Sequence, residues 1–165
     1  MAENQASCPR ETAMKRTLAA CVLFGLSMPA LATDAYSVLF KTQGDFSFVR
    51  DSLQVAIEGK GLVINHTNQI AGMLERTGKD LGATRQVFTD GEQFEFCSAT
   101  SSRAMMEADP HAITLCPYII SVYTIPGDAN VYLAYRKPGP TQNPALQKVL
   151  DQIETLLTEI IEEAL

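Results

Sequence analysis

Two periods organise the apolar positions of this chain. Tyr36-Ser37-Val38-Leu39-Phe40-Lys41-Thr42 is aromatic and β-branched and reads as a first strand, closed by Gly44-Asp45. Behind a cap at Asp45 or Ser47, the residues Phe46, Val49, Leu53, Ala56 and Ile57 recur at helical spacing, and Gly59 and Gly61 end that helix. Leu62-Val63-Ile64-Asn65-His66 reads as a short strand. Ile70, Met73, Leu74 and Leu81 carry a weaker helical pattern. Gly72 and Gly78 interrupt it, each at a cost of about 1 kcal/mol relative to alanine, so a short or broken helix is expected. Gln86-Val87-Phe88 and Gln93 to Cys97 are strand-like on either side of Asp90-Gly91. They form a hairpin, or a strand preceded by irregular chain.

Ser101 to Asp109 reads as a short helix stopped by Pro110. Ile113-Thr114-Leu115-Cys116 leads through Pro117 into a strand, Tyr118 to Tyr123. Pro126-Gly127-Asp128 turns the chain and Val131 to Tyr135 returns it, giving an antiparallel hairpin. Pro144 opens a C-terminal helix with an apolar stripe running from Leu146 through Leu150, Ile153 and Leu157 to Ile161. The doubled Leu156/Leu157 and Ile160/Ile161 fit a single wide buried face; a second copy of the chain is the other partner they would suit. The order predicts an α+β fold: a single antiparallel sheet with helices packed on one face.

The amino-terminal region follows a different pattern. Lys15 and Arg16 precede the apolar run Leu18 to Leu26, Met28-Pro29 breaks it, and Ala30-Leu31-Ala32 supplies small residues for cleavage. Residues 14–32 therefore read as a secretory signal peptide, which places the protein in the periplasm or outside the cell. Residues 1–13 are polar and unpatterned, and read as a non-native start or an extended leading segment. Leu18-Ala19-Ala20-Cys21 has the spelling of a lipoprotein signal, but its apolar stretch follows the cysteine where that signal needs it before. The run is about half the roughly 20 residues required to span a bilayer, so no membrane span is expected once the leader is removed.

Cleavage after Ala32 leaves residues 33–165 as one domain. Losing Arg10, Lys15, Arg16, Glu3 and Glu11 takes 13 basic and 19 acidic residues to 10 and 17, a formal charge of -7. An acidic surface repels phosphate backbones and no basic run is interleaved with aromatics, which argues against nucleic acid as a partner.

Three segments lie in a distinctive order: Phe96-Cys97-Ser98-Ala99, Arg103-Ala104-Met105-Met106-Glu107-Ala108-Asp109-Pro110, and Leu115-Cys116-Pro117-Tyr118-Ile119-Ile120-Ser121-Val122-Tyr123. In that order and spacing, with the helix before Gly61 and the loop at Pro138, the chain resembles the domain of unknown function 302 family over roughly Tyr36 to Leu150. The resemblance implies a TATA-binding-protein-like βα-β4-α domain. It implies no settled activity and transfers no functional residue.

Few residues remain that could carry chemistry. Cys97 and Cys116 are the only cysteines after processing, spaced Cys-x18-Cys, and an even count in an oxidising compartment favours a disulfide. Closing that loop would stabilise the fold by roughly 3 kcal/mol. The sharper alternative is a redox, sulfur-handling or metal site. Cys97, Met105, His111 and Cys116 fall in one short segment, and their soft or borderline donors suit copper(I), with haem as a further candidate. Core packing explains a helical methionine equally well. Tyr118, Tyr123, Tyr132 and Tyr135 lie on the hairpin, where Tyr132 with Arg136 or Lys137 could line a pocket. No nucleophile elbow, phosphate loop or His-Glu-x-x-His is present. The expectation is a binding or accessory domain with an unidentified protein or small-molecule partner, no cofactor and no catalytic residues.

Overall fold

The computed structural model describes residues 36–165. The expected leader and the segment before it lie outside the described residues. The strands are β1 (Ser37–Gln43), β2 (Val63–Asn68), β3 (Gly91–Cys97), β4 (Tyr118–Thr124) and β5 (Asn130–Arg136). The helices are α1 (Phe46–Gly59), α2 (Ile70–Asp80), α3 (Ala99–Ala108) and α4 (Pro144–Ala164), with a 3₁₀ helix at Pro110–Leu115. The strands form one antiparallel sheet in the order β1-β5-β4-β3-β2. The β4–β5 hairpin is thus central, and α1 carries the chain from one edge strand to the other.

Alternation along the strands sorts the side chains into two faces. Phe94, Phe96, Tyr118, Ile120, Val122, Val131, Leu133 and Tyr135 are buried on one face against helices. Their partners in alternation point to the other face, which is polar and partly exposed. α1 starts where Asp45 Oδ1 accepts hydrogen bonds from the Ser47 and Phe48 amides. It buries Val49, Leu53, Ala56 and Ile57, the stripe that the spacing predicts. In α4, Asn143 Oδ1 accepts from the Ala145 and Leu146 amides, with Pro144 at the first turn. Ile160 and Ile161 are both fully buried and Leu157 nearly so, and Leu156 packs at the margin, so the doubled stripe is one wide face in the chain's own core. Lys60, at the end of α1, bridges to Glu159 at 3.2 Å and to Glu163 on α4.

Two local expectations change, and one open alternative is decided. α2 is continuous through Gly72 and Gly78 and buries no side chain completely. A Glu75–Lys79 pair at 2.8 Å supports it from the exposed face. It meets the sheet at Gly91, where a Cβ would sit in ordinary contact, 3.5 Å from both Ala71 Cβ and Tyr123 Cβ. α3 begins at Ala99 rather than Ser101, because the Ser98 hydroxyl accepts from the Ser101 amide and caps the helix earlier. Of the two forms expected at Gln86–Phe88 the chain takes the irregular one, and Ile113–Leu115 belongs to the 3₁₀ helix.

Candidate functional site

The open face of the sheet gains its shape from cross-strand register. Leu39 lies opposite Ala134, Ala134 opposite Ser121, and Ser121 opposite Gln93. Two of the four residues in this row are small, so the row is low. On one side rises a row containing Lys41, Tyr132 and Tyr123. The two tyrosine rings stack with centroids 5.3 Å apart, and Phe88 packs edge-on to Tyr123 at the same separation. The Tyr132 hydroxyl donates to Asp128, which raises the phenol's pKa and lowers the carboxylate's. On the other side lie Ser37, opposite Arg136, and Ile119, opposite Glu95.

The trough between these rows is part of a groove of about 430 Å³, bordered on the open face by Leu39, Ile119, Tyr123 and Arg136 and reaching past Pro117 at the sheet's end to Tyr118, Tyr135, Ile153 and Leu157 on the helix-covered side. Its polar floor is Gln93 Nε2 donating to Ser121 Oγ at 3.1 Å. Arg136 is exposed and makes no ion pair with the described residues. Of the pocket-lining residues expected from sequence, Arg136 borders this groove; Tyr132 and Lys137 stand outside its lining. Sequence reasoning missed the low row itself. The available signal was Ser121 facing Ala134 in a hairpin already predicted, flanked two residues away by Tyr123 and Tyr132.

The second cluster is at the end of the sheet nearest β1's start. Phe96 pairs with Tyr118, so Cys97 falls beside Pro117 and next to Cys116. The structure brings the two predicted cysteines together as adjacent thiols, with no bond between them. Burial pushes the Cys97 thiol up, and hydrogen bonding with Cys116 adds to the shift. Ser102, on α3, places its hydroxyl 3.1 Å from Cys116 Sγ. The Tyr118 hydroxyl is buried beside Ser102 and Cys116 without alignment for a hydrogen bond to either, and burial pushes its pKa up to about 12. The Cys116–Pro117 peptide is cis.

The other weak metal candidates are not part of this pair. Met105 is fully buried in the apolar core, where a methionine fills space. His111 is exposed, its amide donating to Asp109 Oδ1 at the start of the 3₁₀ helix. Among the described residues no three His, Cys, Asp or Glu side chains are grouped to hold a metal ion.

One helix-covered face, one open face and the order βαβαβαββα define a small α+β domain. The family model described as "Domain of unknown function DUF302" matches residues 38–164, and the chain belongs to that family. The match includes all three segments, Phe96 to Tyr123, on which the resemblance rests. The crystal structure of the uncharacterized conserved protein DUF302 from Bacillus stearothermophilus is similar, with a TM-score of 0.67 at 14% identity. The likeness covers 80% of this chain and 100% of that one, and at this identity it is a likeness of fold. No curated protein matches.

Proposed function

We propose that this chain is an exported binding domain, periplasmic or secreted, whose groove on the open sheet face takes a small amphipathic anion. The low Ala134–Ser121 row between the stacked Tyr123 and Tyr132 on one side and Ile119 and Arg136 on the other supports this reading most directly, because it creates a concave surface of mixed apolar and cationic lining. Apolar lining from Leu39, Ile119 and Pro117 suits a hydrocarbon or aromatic body. Arg136 at the rim suits a carboxylate, sulfonate or phosphate head, since its guanidinium can make two parallel hydrogen bonds to such a group. The leader-like pattern of residues 14–32 supports export.

Anilinonaphthalene sulfonate has both features and reports burial by fluorescence. Saturable binding to the native chain is expected. Ser121→Trp, which fills the trough, should abolish it. Arg136→Ala should weaken it about tenfold, the loss of one charge-assisted contact. Binding that is non-saturable, or that survives Ser121→Trp, overturns the reading. Export is tested separately by the mass of the protein recovered from its host, which should begin at Thr33.

A further inference from the structure

Cys97 and Cys116 take no part in the groove, although Pro117 borders it, and their arrangement has chemistry of its own. We propose that they are a convertible dithiol–disulfide pair, oxidised by exchange with an external disulfide, with Cys116 the attacking sulfur and Cys97 the resolving thiol. The β3–β4 ladder ends at Phe96–Tyr118; continued one step it sets Cys97 opposite Pro117, one residue from Cys116 at the exit of the 3₁₀ helix. The two thiols lie within hydrogen-bonding reach of each other without help from a bond. Oxidation therefore requires the side chains to turn and leaves the strands in place.

The two sulfurs are not equivalent. The Ser102 hydroxyl, 3.1 Å from Cys116 Sγ, can donate to that sulfur when it becomes a thiolate. Cys97 is offered the Tyr118 backbone amide, but burial outweighs that bond and favours its protonated form. The sequence of events follows from this asymmetry. The Cys116 thiolate attacks one sulfur of the external disulfide, forming a mixed disulfide and releasing the first thiolate, which takes a proton. The Cys97 thiol then loses its proton to solvent and attacks Cys116 Sγ, releasing the second. Two protein thiols are oxidised, one external disulfide is reduced to two thiols, and the proton count balances.

The product ties the end of β3 to the residue before β4, closing the excursion through α3 and the 3₁₀ helix. In the chain-entropy view, closing a loop of this length raises the melting temperature by roughly 10 °C.

The test uses the full chain with Cys8→Ser and Cys21→Ser, so that only the two described thiols report. After treatment with glutathione disulfide, intact mass and alkylation should show both thiols consumed with no glutathione retained. In Cys97→Ser, glutathione should accumulate as a stable adduct on Cys116. Adding Ser102→Ala should slow that adduct's formation several-fold. In Cys116→Ser, the Cys97 adduct should form at least about tenfold more slowly. Two thiols that remain alkylatable in the parent chain, or two glutathiones retained on it, overturn the pair. Equal adduct rates in the two single variants overturn the assignment of the attacking sulfur. The parent measurement needs neither variant to fold.

Discussion

Replacing Ile160 or Ile161 by alanine separates the two partners that the C-terminal stripe could have. Adjacent residues on a helix point about 100° apart, so a narrow core contact would bury only one of them. Both are fully buried within the chain, with Leu157 and Ala164 beside them and α1 across from them. Each substitution removes the transfer energy of the deleted carbons and leaves a cavity between α4 and its neighbours, at about 2–5 kcal/mol. For a domain of this length, a kilocalorie corresponds to about 4 °C, so each variant should melt about 8–20 °C lower. Glu162→Ala lies between two buried positions in sequence but on the exposed face, and should change stability by less than about 0.5 kcal/mol. Urea unfolding followed by far-UV circular dichroism measures all three. The reasoning fails if either isoleucine variant loses less than about 1 kcal/mol. It also fails if the wild-type midpoint rises with protein concentration, because the stripe would then owe part of its burial to a second copy.

Further outcomes follow from four individual side chains. Asn143→Ala removes the α4 cap and the bond from Asn143 Nδ2 to the Ala108 carbonyl, and should cost about 2 kcal/mol in the same urea assay. Tyr118→Phe should leave stability unchanged or raise it by up to about 1 kcal/mol, because the hydroxyl it removes is buried without a partner. Tyr135→Phe should instead cost about 1 kcal/mol, since that hydroxyl lies 2.8 Å from Thr158 Oγ1, and equal effects from the two would contradict the assignment. Hydrogen bonds from Ser47 and Phe48 hold the Asp45 carboxyl below its ordinary value, so its contribution is present above the unfolded pKa near about 3.9 and is lost as pH falls through the lower folded pKa. Asp45→Asn keeps a capping side chain and should flatten the loss of stability below about pH 4, measured as unfolding midpoint against pH.

The elements legible in sequence are those in which one face is buried continuously. The stripes of α1 and α4 and the alternation of β4 and β5 each predict the side chains found in the core, because burial was their main constraint. α2 was harder to place, since it buries no residue fully and its glycines weaken the local signal. Residues 86–88 have strand-like composition because Phe88 packs on Tyr123, a contact that needs apolar surface and no ladder. For the thiol pair, the sequence showed only that the two strand ends could approach each other. The bonding state was not legible, because the end of β3 and the exit of the 3₁₀ helix come together with the sulfurs unjoined. The groove was least legible. It depends on the small Ser121–Ala134 pair of the hairpin being flanked by Leu39 on β1 and Gln93 on β3, and those neighbours are set only once the sheet order is known.

The groove is also where the account is tested most directly. Amide resonances of the full chain, recorded while anilinonaphthalene sulfonate is added, locate the occupied surface residue by residue. The account predicts saturable shifts concentrated at Leu39, Ile119, Ser121, Ala134 and Arg136, with the buried face of α1 unmoved. Shifts centred on the helical layer, or none at all, would contradict it.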